Sequence, residues 1–242
     1  MSDTYTPQQN HLLEAFPADA SMRLFPYLEL ESFPRGKVLY EPGHTMSRIY
    51  FPIDSIVSLL CVMENGASAE ISMVGNEGLI GIAVLMGGAS TTSQALVQSA
   101  GHAYSLSTPR LLKEFNCNRK VQHQLLRYVQ SLITNTAQTA ACNRHHSIDQ
   151  QLCRWLLLSL DRLSSNRLTV TQEMIANMLG VRREGVTEAA GKLKKLGAIN
   201  YRHGQITVLD RPRLEQLSCE CYAVVKAETD RLDTGRQRLK VG

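Results

Sequence analysis

The sequence predicts an α+β protein with a barrel, roll or sandwich of short strands, then a long helix, then a C-terminal winged helix-turn-helix. Three observations carry this. From residue 28 to about residue 109, short apolar runs alternate with turn residues. No proline lies between Pro109 and Pro212, which permits long helices, an internal proline costing about 3 kcal/mol. Residues 169–210, TVTQEMIANMLGVRREGVTEAAGKLKKLGAINYRHGQITVLD, read as a helix, a tight turn, a second helix and a hairpin.

The 242 residues leave room for two modest domains, and a hydrophobic content of 43% suits a chain that buries a core. No apolar run approaches the about 18 residues of a membrane-spanning helix. The N-terminus, MSDTYTPQQNHLLEAF, is polar and lacks the basic start and apolar core of a secretory signal, so a cytoplasmic location is expected and no membrane partner. Charge is unevenly placed. Residues 1–149 carry a net −2 and residues 150–242 a net +6, which points the C-terminal part at a polyanion. The six cysteines include no CxxC pair, so neither a zinc ribbon nor any other metal is expected.

In chain order, residues 1–18 read as a mobile arm or a short helix, and Asp19–Tyr27 as a short helix. Strands are expected at 37–40, 48–51, 55–63, 70–74, 95–97 and 103–106. Asn65-Gly66 between two of them signals a hairpin closed by a type I′ turn. Thr108-Pro109 opens a helix through Phe115, and Asn118 caps a long one to about Asn143. Along it Val121, Leu125, Tyr128 and Leu132 step by four, three and four, continuing through Asn135 or Thr136, then Thr139 and Cys142. That spacing makes one seam of a coiled coil and favours a symmetric homodimer, the alternative being a helix lying on its own barrel. His145-His146-Ser147-Ile148-Asp149 interrupts the pattern as a hinge, its histidines expected to be solvated, and Gln150–Leu163 forms the next helix.

In the stretch 169–210, Thr171 caps the first helix, Gly180 ends it, and Ile175, Ala176, Leu179, Val181, Val186 and Ala189 supply its buried contacts. The second helix begins near Arg182. Its exposed N-terminal half carries Arg182, Arg183, Glu184, Thr187 and Glu188, the part that enters the major groove of DNA in this module. Arg suits guanine O6 and N7, and Glu suits cytosine N4. Lys192, Lys194 and Lys195 fall later and suit phosphates, as do Thr171 and Gln172, and Arg202 and His203 on the hairpin tip. Gly185 fits a helix start that packs closely on DNA; Gly191 has no such account.

These features together resemble the Crp/Fnr superfamily of bacterial transcription regulators, over about residues 20–215. Thr171-Gln172-Glu173 and Gly180 to Val186 match most closely, with Arg183-Glu184 in the place of the family's base-reading pair. A basic residue usually follows that Glu by four positions; here Glu188 stands there. Tyr40-Glu41-Pro42-Gly43 and Gly78-Leu79-Ile80-Gly81 resemble glycine landmarks of the family's cyclic-nucleotide-binding-like β-roll. The nucleotide-binding members carry Glu after that last glycine and an Arg-Ser pair further on, whereas this chain has Ile82 and Thr92-Ser93, and no Arg between Arg48 and Arg110. Cyclic AMP is therefore not expected in the usual mode. The first cysteine is Cys61, which argues against the iron–sulfur branch, and lone His44 and His102 do not support haem.

The domain expectation is an arm (1–18), a sensor-like β-roll (19–115), a dimerisation helix and hinge (116–147), the winged domain (148–225) and a tail (226–242). The expected function is homodimeric, sequence-specific binding of double-stranded DNA, with RNA polymerase a further candidate partner and an effector-driven shift of the long helices. No cofactor is expected, and nothing in the sequence names the effector. Cys219-Glu220-Cys221 offers an alternative, a pair that senses oxidants or binds a metal. A module for protein contact without sequence-specific DNA binding is another. A cysteine hydrolase built on Cys142 or Cys153 with His145 or His146 lacks any supporting elbow or phosphate loop, so no enzyme is expected.

Overall fold

The computed structural model describes residues 5–239, with side chains to 232. Of the expected arm, residues 1–4 lie outside the described residues, and the described part is packed rather than mobile. After a 3₁₀ turn at Pro7–Gln9, α1 (His11–Glu14) buries Leu12 and Leu13, and Asn10 donates to the carbonyls of Pro52 and Gly78 at 2.9 and 2.8 Å. Of the two sequence readings, the short helix is the one found, because it has an apolar face to bury. Then comes α2 (Ala18–Leu24), which begins one residue before the expected 19–27 span, and a further 3₁₀ turn to Tyr27.

The β-roll follows, with β1 (Glu29–Phe33), β2 (Val38–Tyr40), β3 (Arg48–Pro52), β4 (Ile56–Val62), β5 (Ser68–Val74), β6 (Gln94–Ser99) and β7 (Gly101–Ser107). They form two antiparallel sheets, in orders β1-β7-β3 and β2-β6-β4-β5. All six expected strands are present; β1 was not foreseen, its two glutamates hiding the alternation. The β4–β5 hairpin forms, but not through a type I′ turn. Only Gly66 takes a positive φ; Met63 N and O bond to Ala67 O and Gly66 N, and Asn65 Oδ1 accepts from Ala67 N at 3.0 Å. This is a three-residue loop with a left-handed glycine.

α3 (Thr108–Cys117) leads into α4 (Arg119–His145), capped by Asn118 as expected. The predicted dimer seam does not stand on the outside of this helix. Val121, Leu125, Tyr128 and Leu132 are buried against the roll of their own chain; Asn135 bonds to Ser72, Thr139 accepts from Arg154, and half-buried Thr136 faces a cavity. The reading passed over, a helix lying on its own barrel, is the correct one for this face. The reason is composition: a roll with one open apolar side takes the most apolar stripe of the nearest helix. The outward stripe is Arg119, His123, Leu126, Gln130, Ile133, Ala137, Ala140 and Arg144, all exposed.

The C-terminal part comprises α5 (Ile148–Leu160), β8 (Arg167–Thr169), α6 (Gln172–Leu179), α7 (Arg183–Lys195), β9 (Ile199–Arg202), β10 (Gln205–Val208), α8 (Arg211–Leu217) and α9 (Glu220–Leu239). The sheet order β8-β10-β9 makes the wing. Residues 226–239 are no tail. They belong to α9, which runs along α4 and inserts Leu232 into the cluster holding Val121 and Leu125. Among the described residues no helix is long and apolar enough to cross a membrane.

The roll and the C-terminal part share a buried polar seam. Arg162 pairs with Glu77 at 2.7 Å within it, and on the surface Arg35 donates to Thr169 O at 3.1 Å. Glu70 is buried beside Ser58, whose hydroxyl also lies 2.9 Å from Gln98 Oε1. If Ser58 donates to Gln98, it must accept from Glu70, which calls for a protonated carboxyl. Burial pushes Glu70 up to about 7 from 4.5, against the opposing pull of Ser58, Arg154 and Arg162. A raised folded pKa means the folded state holds the proton more tightly. The stabilisation is complete below pH 4.5 and is lost as pH rises to about 7, by up to about 1.4 kcal/mol per pH unit. The thermal midpoint of Glu70→Gln should therefore gain on the wild type across that window and level off above it. A difference that stays constant with pH would show that Glu70 is ionised throughout.

Candidate nucleic-acid interface

Thr171 caps α6 through its Oγ1, which accepts from Met174 N at 3.2 Å, and Gly180 ends it at φ 66°. Ile175, Ala176, Met178 and Leu179 on α6 meet Val186, Ala189, Ala190 and Leu193 on α7 in one core. That packing turns the other side of α7 outward. Arg182, just ahead of the helix, and Arg183, Glu184, Thr187 and Glu188 are all exposed. The Thr187 hydroxyl lies 2.9 Å from Gln172 Oε1 and 3.0 Å from Arg183 O.

The wing turns at His203-Gly204, with φ of 50° and 72°. Two positive values between paired Arg202 and Gln205 mark a type I′ turn, the geometry expected at Asn65-Gly66 but found here. It presents Arg202 and His203 to solvent, across a cleft of about 520 Å³ from Thr171, Gln172 and Arg183. Tyr201 lines the same cleft and donates to Val170 O at 3.0 Å. Burial raises its pKa and the Arg183 charge opposes that. Sequence reasoning passed over Tyr201, whose signal was an aromatic on the strand leading to the wing tip.

Not every predicted phosphate contact is free. Lys192 bridges Glu188 at 3.0 Å and Asp149 at 3.2 Å, tying α7 to the start of α5, while Lys194 and Lys195 are exposed. Gly185 does not serve close approach to DNA. A Cβ there would come 2.6 Å from Ile148 Cδ1, so the residue faces α5 within the chain. Gly191 has nothing within 4 Å of its absent Cβ, and nothing in the structure explains it.

A second cavity, of about 390 Å³, lies between the roll and α4. Leu59, Ile71, Ile82 and Met86 line it from the roll, and Leu132, Ile133, Thr136 and Ala137 from the helix. Its polar groups are the hydroxyls of Tyr40, Thr91, Ser93 and Thr136, and no charged side chain lines it. Burial pushes the Tyr40 hydroxyl up to about 12, with a Ser93 hydrogen bond opposing.

The histidines and cysteines divide sharply. His44 is exposed, and His102 rests on Asp54 at 3.5 Å and on the Tyr5 ring. Cys153 is buried, and burial pushes its thiol up to about 12. His145 is exposed, but His146 is half-buried and not a solvated hinge residue. It meets Cys142, Cys219 and Cys221, all three buried, in one group of ligand-capable atoms within 4.8 Å of one another. The expectation of no metal-ligating set rested on contiguous spacing, which does not reveal a cluster assembled from two distant segments. Burial raises both Cys142 and Cys219 above the ordinary thiol range, the opposite of what a reactive thiolate needs.

Comparison with known proteins follows the same division of the chain. Residues 30–117 match the cyclic nucleotide-binding domain family and residues 150–217 the Crp-like helix-turn-helix domain family. The global nitrogen regulator of Synechococcus elongatus is 24% identical over 218 residues, covering 86% of this chain and 97% of that protein. The CRP-like cAMP-activated global transcriptional regulator of Mycobacterium tuberculosis is 23% identical over 194 residues, 77% and 87% respectively. Among solved structures, a crp/fnr-family transcriptional regulator from Eubacterium rectale superposes with a TM-score of 0.68 at 15% identity, over 87% of this chain and 98% of that one. With a cyclic-nucleotide-binding-like roll, a long connecting helix and a Crp-like helix-turn-helix in that order, the chain belongs to the Crp/Fnr superfamily of bacterial transcription regulators.

Proposed function

We propose that the protein is a homodimeric transcription regulator that reads a two-fold symmetric DNA sequence with α7. The exposed row of Arg182, Arg183, Glu184 and Thr187, flanked by the wing tip across one open cleft, carries this reading. Arg183 and Glu184 act as base readers. Thr171, Gln172, Lys194, Lys195, Arg202 and His203 surround them at phosphate-contacting positions. Glu188 and Lys192, paired with each other, contribute only where that pair opens. Arg183→Ala should cost about 1–3 kcal/mol of affinity for a site selected from random DNA. Unchanged affinity would sink this mechanism.

The dimer is assigned to the outward stripe of α4, not the inward one. Leu126, Gln130, Ile133, Ala137, Ala140 and Arg144 step by four and three, and Leu126 and Ile133 are 47% and 53% exposed despite their apolar side chains. A two-fold axis beside them would let each stripe cover its copy. Sedimentation should find a dimer for the wild type and a monomer for Ile133→Arg; a dimer in both places the interface elsewhere.

The cavity between roll and α4 is the candidate effector site. A buried phosphate there would lack a counter-charge, at a cost of several kcal/mol. An uncharged, largely apolar effector suits its lining, and Ile133 and Ala137 belong to both the cavity and the outward stripe. Calorimetric titration with cyclic AMP should give no binding, and tight binding would overturn this assignment.

A further inference from the structure

We propose that Cys142, His146, Cys219 and Cys221 form a closed structural site for one zinc-class divalent cation, which pins the start of α9 to the end of α4. The four ligand atoms come from two segments far apart in sequence. Cys142 and His146 lie one helical turn apart at the C-terminal end of α4. Cys219 and Cys221 alternate at the N-terminus of α9, where free backbone N–H groups favour negative sulfur.

The spacing fits a single ion. Zn–S of about 2.3 Å and Zn–N of about 2.0–2.1 Å imply tetrahedral edges of about 3.8 Å between sulfurs and about 3.5 Å between sulfur and nitrogen. Cys142 Sγ and Cys219 Sγ are 3.6 Å apart, and Cys221 Sγ lies 3.4 Å from His146 Nδ1. All four atoms fall within 4.8 Å of one another, too compact a set to enclose a multi-iron cluster. Three thiolates and one imidazole form the Cys₃His set of structural zinc sites, and with four protein ligands no position stays open for substrate.

The surroundings are those a ligating set requires. With Nδ1 facing the sulfurs, the other ring nitrogen of His146, Nε2, lies 3.3 Å from Glu220 Oε2, the carboxylate that orients a metal-bound histidine. Gln138 Nε2 donates to Cys221 Sγ at 3.0 Å. Binding would release three thiol protons and leave the site with one net negative charge. That charge has a waiting partner. Arg154 is buried within electrostatic reach of all three sulfurs and of Glu70, and Thr139 Oγ1 and Asn135 Oδ1, its hydrogen-bond acceptors, are neutral. Its Nε makes no hydrogen bond to any described atom.

The site joins residues 77 apart in the chain, across the segment that contains the whole winged module. Its occupancy would close that loop from the far side of the hinge. Nothing in this proposal depends on which DNA, if any, the module binds.

The test is metal analysis of the full-length protein purified under reducing conditions, with cobalt substitution as a second readout. One equivalent of zinc per chain is expected. The cobalt form should show sulfur-to-metal charge transfer and the intense visible bands of a tetrahedral site. Cys219→Ser/Cys221→Ser and His146→Ala should lose the metal or weaken its retention against a chelator by at least tenfold, while exposed Cys117→Ser keeps it. Zinc absent from the reduced wild type after incubation with excess zinc, or a Cys142–Cys219 disulfide with no metal uptake once reduced, overturns the proposal. Because the wild-type measurement decides alone, a variant that fails to fold does not obscure the answer.

Discussion

The geometry of this chain depends on one contact, the Tyr128 ring lying on Gly78. A Cβ at Gly78 would come within 2.4 Å of Tyr128 Cε2 and Oη, so any other residue there would force the ring or the helix to shift. The Tyr128 hydroxyl then donates to Leu79 O at 2.9 Å, fixing the rotation of α4 as well as its distance. Once that face is set, the rest of α4 has no freedom. Val121, Leu125 and Leu132 must enter the cores beside it, and the stripe through Leu126 and Ile133 must face away. The same rotation brings Cys142 and His146 to the side where α9 begins.

The roll and the winged module are coupled by buried polar groups rather than by apolar packing alone. Arg162 with Glu77, Gln98 with Ser159, and Arg154 with Asn135 and Thr139 sit where α5 or the residues just after it meet the loop after β5, β6 or α4. Groups of this kind add little net stability, because desolvation offsets most of their attraction. They do penalise misalignment steeply, since a shifted helix leaves a charge buried and unpaired. An interface built this way favours a few discrete arrangements over a continuum.

The elements of the fold were legible because they follow local rules. Asn118, Thr171 and Gly180 terminate helices by their own chemistry, and the strand runs alternate as strands do. Two features were misplaced for physical reasons. α4 carries two stripes at the same four-three spacing, and periodicity alone does not say which meets the roll and which meets solvent; burial decides. The type I′ turn was expected at Asn65-Gly66, the stronger local signal, but the loop there gained one residue and the true I′ turn fell to His203-Gly204. Of the candidate sites, the exposed face of α7 was readable because it is one continuous helix. The Cys₃His cluster was not, since its halves are ordinary in isolation, a C-x₃-H at the end of one helix and a C-x-C at the start of another. The α4–α9 packing escaped for a like reason, its partners being remote in sequence, and β1 because its two glutamates hide the alternation.

α4 therefore has three separate contacts along one rigid body. Its middle lines the roll cavity with Leu132, Ile133, Thr136 and Ala137, its outer stripe is the one assigned to a second copy under the proposed dimer, and its end carries half of the cysteine cluster. Ile133 and Ala137 belong to the first two at once, so a ligand that displaced them would change the stripe directly, with no relay through the roll. The end of the helix is different. Thr139 and Cys142 lie two and five residues beyond Ala137, the last residue of α4 that lines the cavity, and Thr139 holds Arg154 of α5 at 2.8 Å. Rotation of α4 by even part of a turn would pull on Arg154 and on the cluster together, and both are anchored to the winged module. A filled cluster would resist that rotation while leaving the cavity and stripe untouched. The hinge at His146-Ser147 is then no free joint, because the Thr139–Arg154 bond and the cysteine cluster tie the end of α4 to α5 and α9 on either side of it.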